Sequence, residues 1–183
     1  YISQHVILWY AKNPRVTSYT CAQSSKLREQ ARQEIRKAIN GRAHDKVIFC
    51  GSGATAAINK MMDILNLRMP NASLGLDKNA GGDEPSQRPI IFVGPYEHHS
   101  NELPWRESYA ELVCIPLTSC GQIDIAVLEQ KLLQYADRDL KIGSFSAASN
   151  VTGIRSDVEA ITALLAKHNA LSFWDYAAAA PYI

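Results

Sequence analysis

Short, continuously apolar runs separated by helical patterns constrain the fold of this chain more than any other feature. The runs lie at 46–50, 89–93, 111–115, 140–147 and 170–174. A strand written as an unbroken apolar run is buried on both faces, as in a parallel sheet covered by helices. Strands that alternate with helices indicate the same arrangement. The sequence therefore predicts an α/β fold: one three-layer α/β/α domain over residues 1–183, with a mostly parallel sheet and helices on both faces.

Helical segments are predicted before and between these runs. The first has apolar residues four positions apart, an N-cap at Ser24 or Ser25, and Gly41 as the residue that ends it. Ser156 to Glu159 forms a capping box that opens the last helix. The remaining helices are predicted at 54–65, at 125–135 and, interrupted by Pro104, between the second and third apolar runs.

Four short motifs stand where predicted strands end. In sheets of this kind, ligands bind outside the carboxyl ends of the strands. We therefore expect the four motifs to line one site. They are Gly51–Thr55, Glu97–His99, Ser149–Asn150 and Trp174–Asp175.

Gly51-Ser-Gly-Ala-Thr55 lies between a strand and a helix. Glycines let a ligand approach the backbone closely, and the N–H groups at a helix start favour an anion. Thr55 and Ser52 add hydroxyl donors, so the turn suits a phosphate. It lacks the lysine of a P-loop and the spacing of the dinucleotide fingerprint. A tight turn with a capped helix is an equally good interpretation.

His98 and His99 follow the second apolar run. A histidine at the end of a strand can be a base, a metal ligand or a flat stacking surface. Together with Asp175, the two histidines would offer three metal ligands. Adjacent side chains of an extended segment point to opposite sides, however, so no metal is expected.

Asn150 and Asp175 end two further strands. The Asn150 amide is placed to donate to a ligand oxygen, although Asn-Val-Thr-Gly is also a reasonable turn. A carboxylate at the end of an apolar strand needs a partner. For Asp175 this can be a protonated pyridine nitrogen, as expected of pyridoxal phosphate enzymes, a helix N-terminus or an arginine.

Composition and charge argue against two classes of partner. The chain is 46% apolar and 20% charged with a formal net charge of +1, so neither nucleic acid nor a membrane is an expected partner. It begins at Tyr1 with no signal-peptide pattern, which favours a cytoplasmic protein without its true N-terminus and leaves organellar targeting open. The polar, Gly- and Pro-rich stretch at 68–89 predicts a mobile insertion loop.

Three segments carry a resemblance to a known family. Glu97-His-His-Ser-Asn-Glu-Leu-Pro-Trp105 is similar to the desulfurase-like motif Glu-His-His-x-Asn-x-x-Pro-Trp and is the most specific of them. The segments that begin at Ile7 and Lys26 resemble the family sequence before the phosphate turn. Over most of its length the chain thus resembles the class V aminotransferases. These are pyridoxal-phosphate enzymes of fold type I that include cysteine desulfurases and selenocysteine lyases.

The resemblance implies a role for each matching residue. Ala54 and Thr55 would hold the phosphate of pyridoxal 5′-phosphate. His98 would stack on the pyridine ring and is the candidate catalytic residue, with a possible acid–base role. Asn150 would donate to the phenolic oxygen. Asp175 would pair with the ring nitrogen and keep it protonated, so that the ring acts as an electron sink.

The resemblance also implies parts that have no counterpart here. The family's Schiff-base lysine lies beyond the aspartate, and none of the residues from Tyr176 to Ile183 is a lysine. The family's opening segment and small C-terminal domain are missing as well. We therefore interpret the chain as an internal piece of the large cofactor-binding domain, inactive by itself. Ala178 stands where the family often has a glutamine, which favours a branch distant from the desulfurases.

The parent protein is accordingly expected to be a homodimeric pyridoxal-phosphate lyase, desulfurase or transaminase that acts on an amino acid. Two rival hypotheses remain. One is a catalytically inactive pyridoxal-fold domain used for dimerisation or partner binding. The other is a metal-dependent hydrolase built on His98, His99 and Asp175.

Overall fold

A computed structural model describes residues 19–68 and 88–182, together with the isolated Gln4. The chain divides into two compact units, the second of which begins at Cys50. That the two units form a single domain stays a prediction. The predicted loop at 68–89 lies mostly outside the described residues.

The described part of the first unit consists largely of helix α1 (Tyr19–Ala38). Arg36 and Lys37 in its last turn face the negative end of the helix dipole. The predicted start at Ser24 or Ser25 is wrong, because the residues before them are helical too. Serine favours helix caps but costs little inside a helix, so nothing forces a helix to begin there.

The end of α1 also differs by one residue from the prediction. Asn40 takes the left-handed conformation with φ 54°. The Gly41 N–H then donates to the Arg36 carbonyl at 2.8 Å. Asparagine tolerates the left-handed region that closes a helix, so it serves here in place of the predicted glycine.

The apolar run at 46–50 is not a strand, so that prediction is wrong. The segment has no regular secondary structure. Ile48 is 60% and Phe49 39% exposed, and Arg32 of the same unit lies over the Phe49 ring at 5.6 Å. An apolar run becomes a strand only when neighbouring strands take its backbone groups, and the described sheet does not include this run.

The second unit is built on a parallel sheet with the strand order β2-β1-β3-β4. Its strands are β1 (Ile90–Val93), β2 (Glu111–Cys114), β3 (Lys141–Ser146) and β4 (Leu171–Asp175). Each lies within one residue of its predicted bounds. The central strands β1 and β3 are buried throughout, whereas the edge strands β2 and β4 are partly exposed. This is the burial expected of a sheet covered on both faces.

Helices cover both faces of this sheet, as predicted. They are α2 (Gly53–Ile64), α3 (His99–Arg106), α4 (Ile125–Gln134) and α5 (Val158–Lys167). Met62 of α2 and Trp105 of α3 pack with one set of alternate β1 residues. Leu128 of α4 and Leu165 of α5 pack with the other set. Among the described residues, no helix combines the length and apolar character needed to cross a bilayer.

Helix α5 is capped by a different residue from the one predicted. The Asp157 carboxylate accepts a hydrogen bond from the Ala160 N–H at 3.0 Å. Ser156, the predicted cap, instead donates its hydroxyl to the Ser146 carbonyl at 2.7 Å. The capping-box interpretation is therefore wrong, because Ser156 is bonded to the end of β3.

Pro104 was predicted to interrupt the helix before β2. It lies inside α3 without breaking it.

Candidate cofactor site

The four sequence motifs meet at the carboxyl ends of the parallel strands, around a cavity of about 200 Å³. All five residues predicted to bind a cofactor line this cavity; they are Ala54, Thr55, His98, Asn150 and Asp175. Sequence analysis did not single out four more that line it, which are Ser100, Ser146, Ala148 and Ala177; Ala178 lines it too. His99 does not.

The start of α2 forms one wall of the cavity. Ser52 (φ 32°) and Gly53 (φ 70°) both take left-handed conformations, which turn the chain sharply into the helix. Ser52 is the N-cap residue, but its side chain makes no capping hydrogen bond. Because the first N–H groups of a helix lack partners within it, this uncapped start is suited to an anion.

His98 is the N-cap of α3, and its ring orientation is fixed by two contacts. Its Nδ1 accepts from the Ser100 N–H at 3.1 Å and lies 3.0 Å from the Ser100 hydroxyl. That hydroxyl is also 2.7 Å from the Thr55 hydroxyl. Since Nδ1 accepts from a backbone N–H, the neutral ring carries its hydrogen on Nε2. Nε2 is therefore the ring nitrogen left for a ligand.

Asp175 and Asn150 form another part of the cavity wall. Asp175 is the last residue of β4, and its Oδ1 accepts from the Ala177 N–H at 2.8 Å. Its own carbonyl accepts from the Ala147 N–H at 3.0 Å, which ties the ends of β3 and β4 together. Asn150 is exposed, in a turn closed by the bond from the Gly153 N–H to the Ser149 carbonyl at 2.9 Å. The segment that contains Asn150 therefore forms both a turn and part of the cavity wall.

Glu97 is a mostly buried carboxylate directly before His98. Oε1 accepts from the Gly94 N–H at 3.3 Å and the Ser146 N–H at 3.0 Å. Oε2 accepts from the Ser146 hydroxyl at 2.6 Å and the Asn101 amide at 2.8 Å. Burial raises the pKa of this carboxyl, although the bonds from Ser146, Asn101 and Gly94 act to lower it.

Asn101 extends this network into the core. Its Oδ1 accepts from the Ser144 hydroxyl at 2.7 Å, and the Trp105 indole N–H donates to the same hydroxyl at 3.0 Å. Asn101, Ser144 and Trp105 are all buried. A buried polar group is tolerated when it is hydrogen-bonded, so the network fixes α3 against β3.

Sequence reasoning included Glu97 only as part of a motif and did not identify its role. One local signal was available, because a charge that directly follows a buried strand needs partners. The identity of those partners was not accessible. Ser146 and Asn101 lie on different elements, and Ser146 is 49 positions away in sequence.

A metal site at these residues receives no support from the geometry. The His98 and His99 rings have centroids 6.1 Å apart and a tilt of 49° between their planes. His99 instead lines a neighbouring cavity of about 470 Å³ with Arg68 and Glu107. In the described ranges there is no group of three His, Cys, Asp or Glu side chains that could hold a metal ion.

The parallel sheet with helices on both faces, and with a histidine and a carboxylate at its strand ends, has the fold of the fold-type I pyridoxal-phosphate enzymes. The family model for aminotransferase class-V matches residues 2–183, so the chain belongs to that family. It is 31% identical to a probable cysteine desulfurase of Halalkalibacterium halodurans, over 85% of this chain and 34% of the relative. A probable cysteine desulfurase of Vibrio cholerae is 30% identical, over 88% of this chain and 35% of that protein.

Solved structures show the same fold at lower sequence identity. An apo cysteine desulfurase from Thermococcus onnurineus NA1 matches with a TM-score of 0.67 at 17% identity, over 95% of this chain and 39% of its own. A NifS-like protein from Rickettsia africae matches with a TM-score of 0.65 at 20% identity, over 90% and 40% of the two chains. The chain spans about a third of the length of the two probable cysteine desulfurases named above.

Proposed function

We propose that this chain forms the pyridoxal 5′-phosphate site of an enzyme that acts on an amino acid as a homodimer. Family members depend on this cofactor, which supports the proposal. The observation that carries it is the cavity into which Thr55, His98, Asn150 and Asp175 all face. Their donor and acceptor types differ, and each matches a different part of a phosphorylated pyridine ring.

The phosphate end of the cavity fits the cofactor. Helix α2 begins without a side-chain cap, and the hydroxyls of Thr55 and Ser100 lie beside that start. A dianion is favoured at a helix N-terminus by the free N–H groups and by the helix dipole. In this proposal, the first turn of α2 with Ala54 and Thr55 binds the phosphate.

The ring end fits as well. An Asp175 carboxylate at the ring nitrogen would hold a proton there, and the Asn150 amide would donate to the phenolic oxygen. His98 offers a flat ring and, through Nε2, the one ring nitrogen not bonded to Ser100. Any acid–base role of His98 therefore falls to Nε2. When bound, the cofactor supplies an electron sink for bonds at the substrate's α-carbon.

The reaction type follows from the relatives rather than from the cavity. Two of them are named probable cysteine desulfurases, so we propose desulfurase-like chemistry, with transamination as the second candidate. Ala178 lines the cavity, and its methyl side chain offers no hydrogen bond to a phenolic oxygen. Among the described residues that line the cavity there is no lysine, so in this proposal the amine that anchors the cofactor comes from outside this set.

The test is cofactor binding by the full-length protein. Pyridoxal phosphate should give a visible absorbance band that borohydride reduction removes, and cysteine should yield sulfide or protein-bound sulfur. Asp175→Asn should weaken binding of the cofactor about ten- to a hundredfold, since it removes the charge at the ring nitrogen. Asp157→Asn changes a helix cap outside the cavity and should bind normally.

Two results would count against the proposal. A full-length protein with no cofactor band would favour an inactive pyridoxal-fold domain used for dimerisation or partner binding. Equal effects of Asp175→Asn and Asp157→Asn would show that Asp175 does not contact the cofactor. A turnover of amino acid with a keto acid, but without sulfur release from cysteine, would select transamination.

A further inference from the structure

Glu97 contacts three elements that end beside the cavity, although its own side chain does not line it. It accepts from Gly94 after β1, from Ser146 at the end of β3 and from Asn101 in α3. All of its donors are neutral groups. Its bond to the Ser146 hydroxyl, at 2.6 Å, reaches a residue that lines the cavity.

The Glu97 carboxylate leaves little space for a side chain at Gly94. Its φ is not among the positive values found in the described chain, so backbone strain does not demand a glycine here. A Cβ at this position would lie 2.8 Å from Glu97 Oε1, closer than real Cβ contacts allow. The other near neighbour, Ile123, would be at an ordinary distance of 3.5 Å.

We propose that Glu97 is a positioning residue, which together with Gly94, Asn101 and Ser146 forms a clamp that sets the place of His98 in the cavity. This inference rests on the proposed function and adds a residue to it. "The Glu97 clamp" denotes these four residues.

The covalent and hydrogen-bonded links from the clamp to His98 are short. His98 follows Glu97 in the chain, and its carbonyl accepts from the Asn101 N–H at 2.7 Å. The Asn101 side chain is held by Glu97. The first turn of α3 is therefore fixed from both ends, and the His98 ring is fixed with it through Ser100. A change at Glu97 moves His98 without touching a ligand itself.

Three variants of Glu97 test separately the charge, the length and the presence of its side chain. Glu97→Gln keeps the size but replaces one oxygen, which accepts two hydrogen bonds, with an NH₂ group that can only donate. Glu97→Asp keeps the charge on a shorter side chain. Glu97→Ala removes the carboxylate altogether. Glu102→Gln is the matched control, because it alters another carboxylate of the same region, whose partner is the nearby Arg106.

The first readout is the His98 ring itself, in cofactor-free protein. The ¹⁵N and ¹³C signals of His98, assigned with a His98→Gln variant, should shift in Glu97→Gln and stay unchanged in Glu102→Gln. In the full-length protein, Glu97→Gln should weaken pyridoxal phosphate binding about tenfold. His98 signals that are identical in wild type and Glu97→Gln would overturn the clamp.

The second readout is a double-mutant cycle on thermal unfolding. Gly94→Ala should lower the unfolding midpoint by about 5 °C in the wild type and in Glu97→Gln, where the crowding atom remains. It should cost almost nothing in Glu97→Ala, or in Glu97→Asp if the alanine variant does not fold. Equal costs in all backgrounds would overturn the spatial argument.

The cycle and the His98 signals need no cofactor. If the wild type fails to bind pyridoxal phosphate, the proposed function falls, and these two readouts still decide the clamp. If the wild type binds and Glu97→Gln binds equally well, the function stands and the positioning role is wrong.

Discussion

The two ends of the parallel sheet hold their charges in different ways. At the amino ends of the strands, Glu111 is bonded by Arg138 at 2.9 Å and by Tyr135 at 2.8 Å. Lys141 and Arg88 donate to backbone carbonyls nearby. Charges of both signs and carbonyl oxygens are thus bonded to one another at this end of the sheet.

At the carboxyl ends, the Glu97 carboxylate is held by neutral donors alone. Next to it, Thr55, His98 and Asp175 face a cavity. Charged side chains are therefore paired with one another at the amino ends of the strands, whereas polar side chains at the carboxyl ends face a cavity. A binding site needs polar groups that are available in this way. The stability of the fold that holds them must therefore come from elsewhere in the core.

The largest effect that this comparison predicts is at the amino ends. Arg138→Ala should lower the free energy of unfolding by about 2–3 kcal/mol, because it removes the cationic partner of Glu111 and the donor to the Arg88 carbonyl. Denaturant unfolding measures it. Arg106→Ala, which breaks an exposed ion pair, should cost at most about 1 kcal/mol.

Cofactor binding completes that prediction. Arg138→Ala should leave the dissociation constant of pyridoxal phosphate unchanged, because the residue lies at the other end of the strands. A loss of affinity as large as that of Asp175→Asn would show that the two ends are not separate in function.

A smaller effect is predicted at the carboxyl ends. Trp105→Phe removes the indole donor to Ser144 and some core volume, and should lower the free energy of unfolding by about 1–2 kcal/mol. Because Ser144 also supports Asn101, cofactor affinity should fall together with stability. A Trp105→Phe variant that is less stable but binds normally would separate the core network from the cavity.

Much of the sheet and of the cavity could be predicted from the sequence. The strands of the second unit were found because buried parallel strands give apolar runs bounded by turns. The convergence of Thr55, His98, Asn150 and Asp175 followed from topology, since the carboxyl ends of parallel strands share one edge. Their roles toward a cofactor stay a prediction.

What could not be predicted depends on contacts distant in sequence. The run at 46–50 has the composition of a strand, but pairing depends on neighbours that composition does not reveal. Ser156 looks like a helix cap and is instead bonded to Ser146. Glu97 looks like one residue of a motif, and only the fold brings Gly94 and Ser146 to it. Local patterns determine elements; the hydrogen-bond partners of buried polar groups come from the fold.

The pH dependence of stability tests the buried carboxylate directly. Burial raises the pKa of Glu97 above its usual 4.5, so the folded state binds this proton more tightly than the unfolded state. Its contribution to stability is thus fully present below pH 4.5 and is lost as the pH rises through the raised pKa. The free energy of unfolding of the wild type, relative to that of Glu97→Gln, should therefore fall as the pH rises over that range.

The groups that face Glu97 do not obscure this effect. Tyr96 and the Cys114 thiol interact with it electrostatically, but both have raised pKa values and are neutral in this range. A difference between wild type and Glu97→Gln that stays constant with pH would mean that Glu97 has the same pKa folded and unfolded.

The smallest predicted effect concerns one tyrosine at each end of the sheet. The pKa of Tyr135 is raised first by its hydrogen bond to Glu111, whereas that of Tyr96 is raised first by burial. Glu111→Gln should therefore return the Tyr135 pKa toward 10.0, while Glu97→Gln should change the Tyr96 pKa only slightly. Titration of ¹³C-labelled tyrosine by NMR measures both. A Tyr96 pKa that follows Glu97 as closely as Tyr135 follows Glu111 would mean that charge, rather than burial, governs both ends of the sheet.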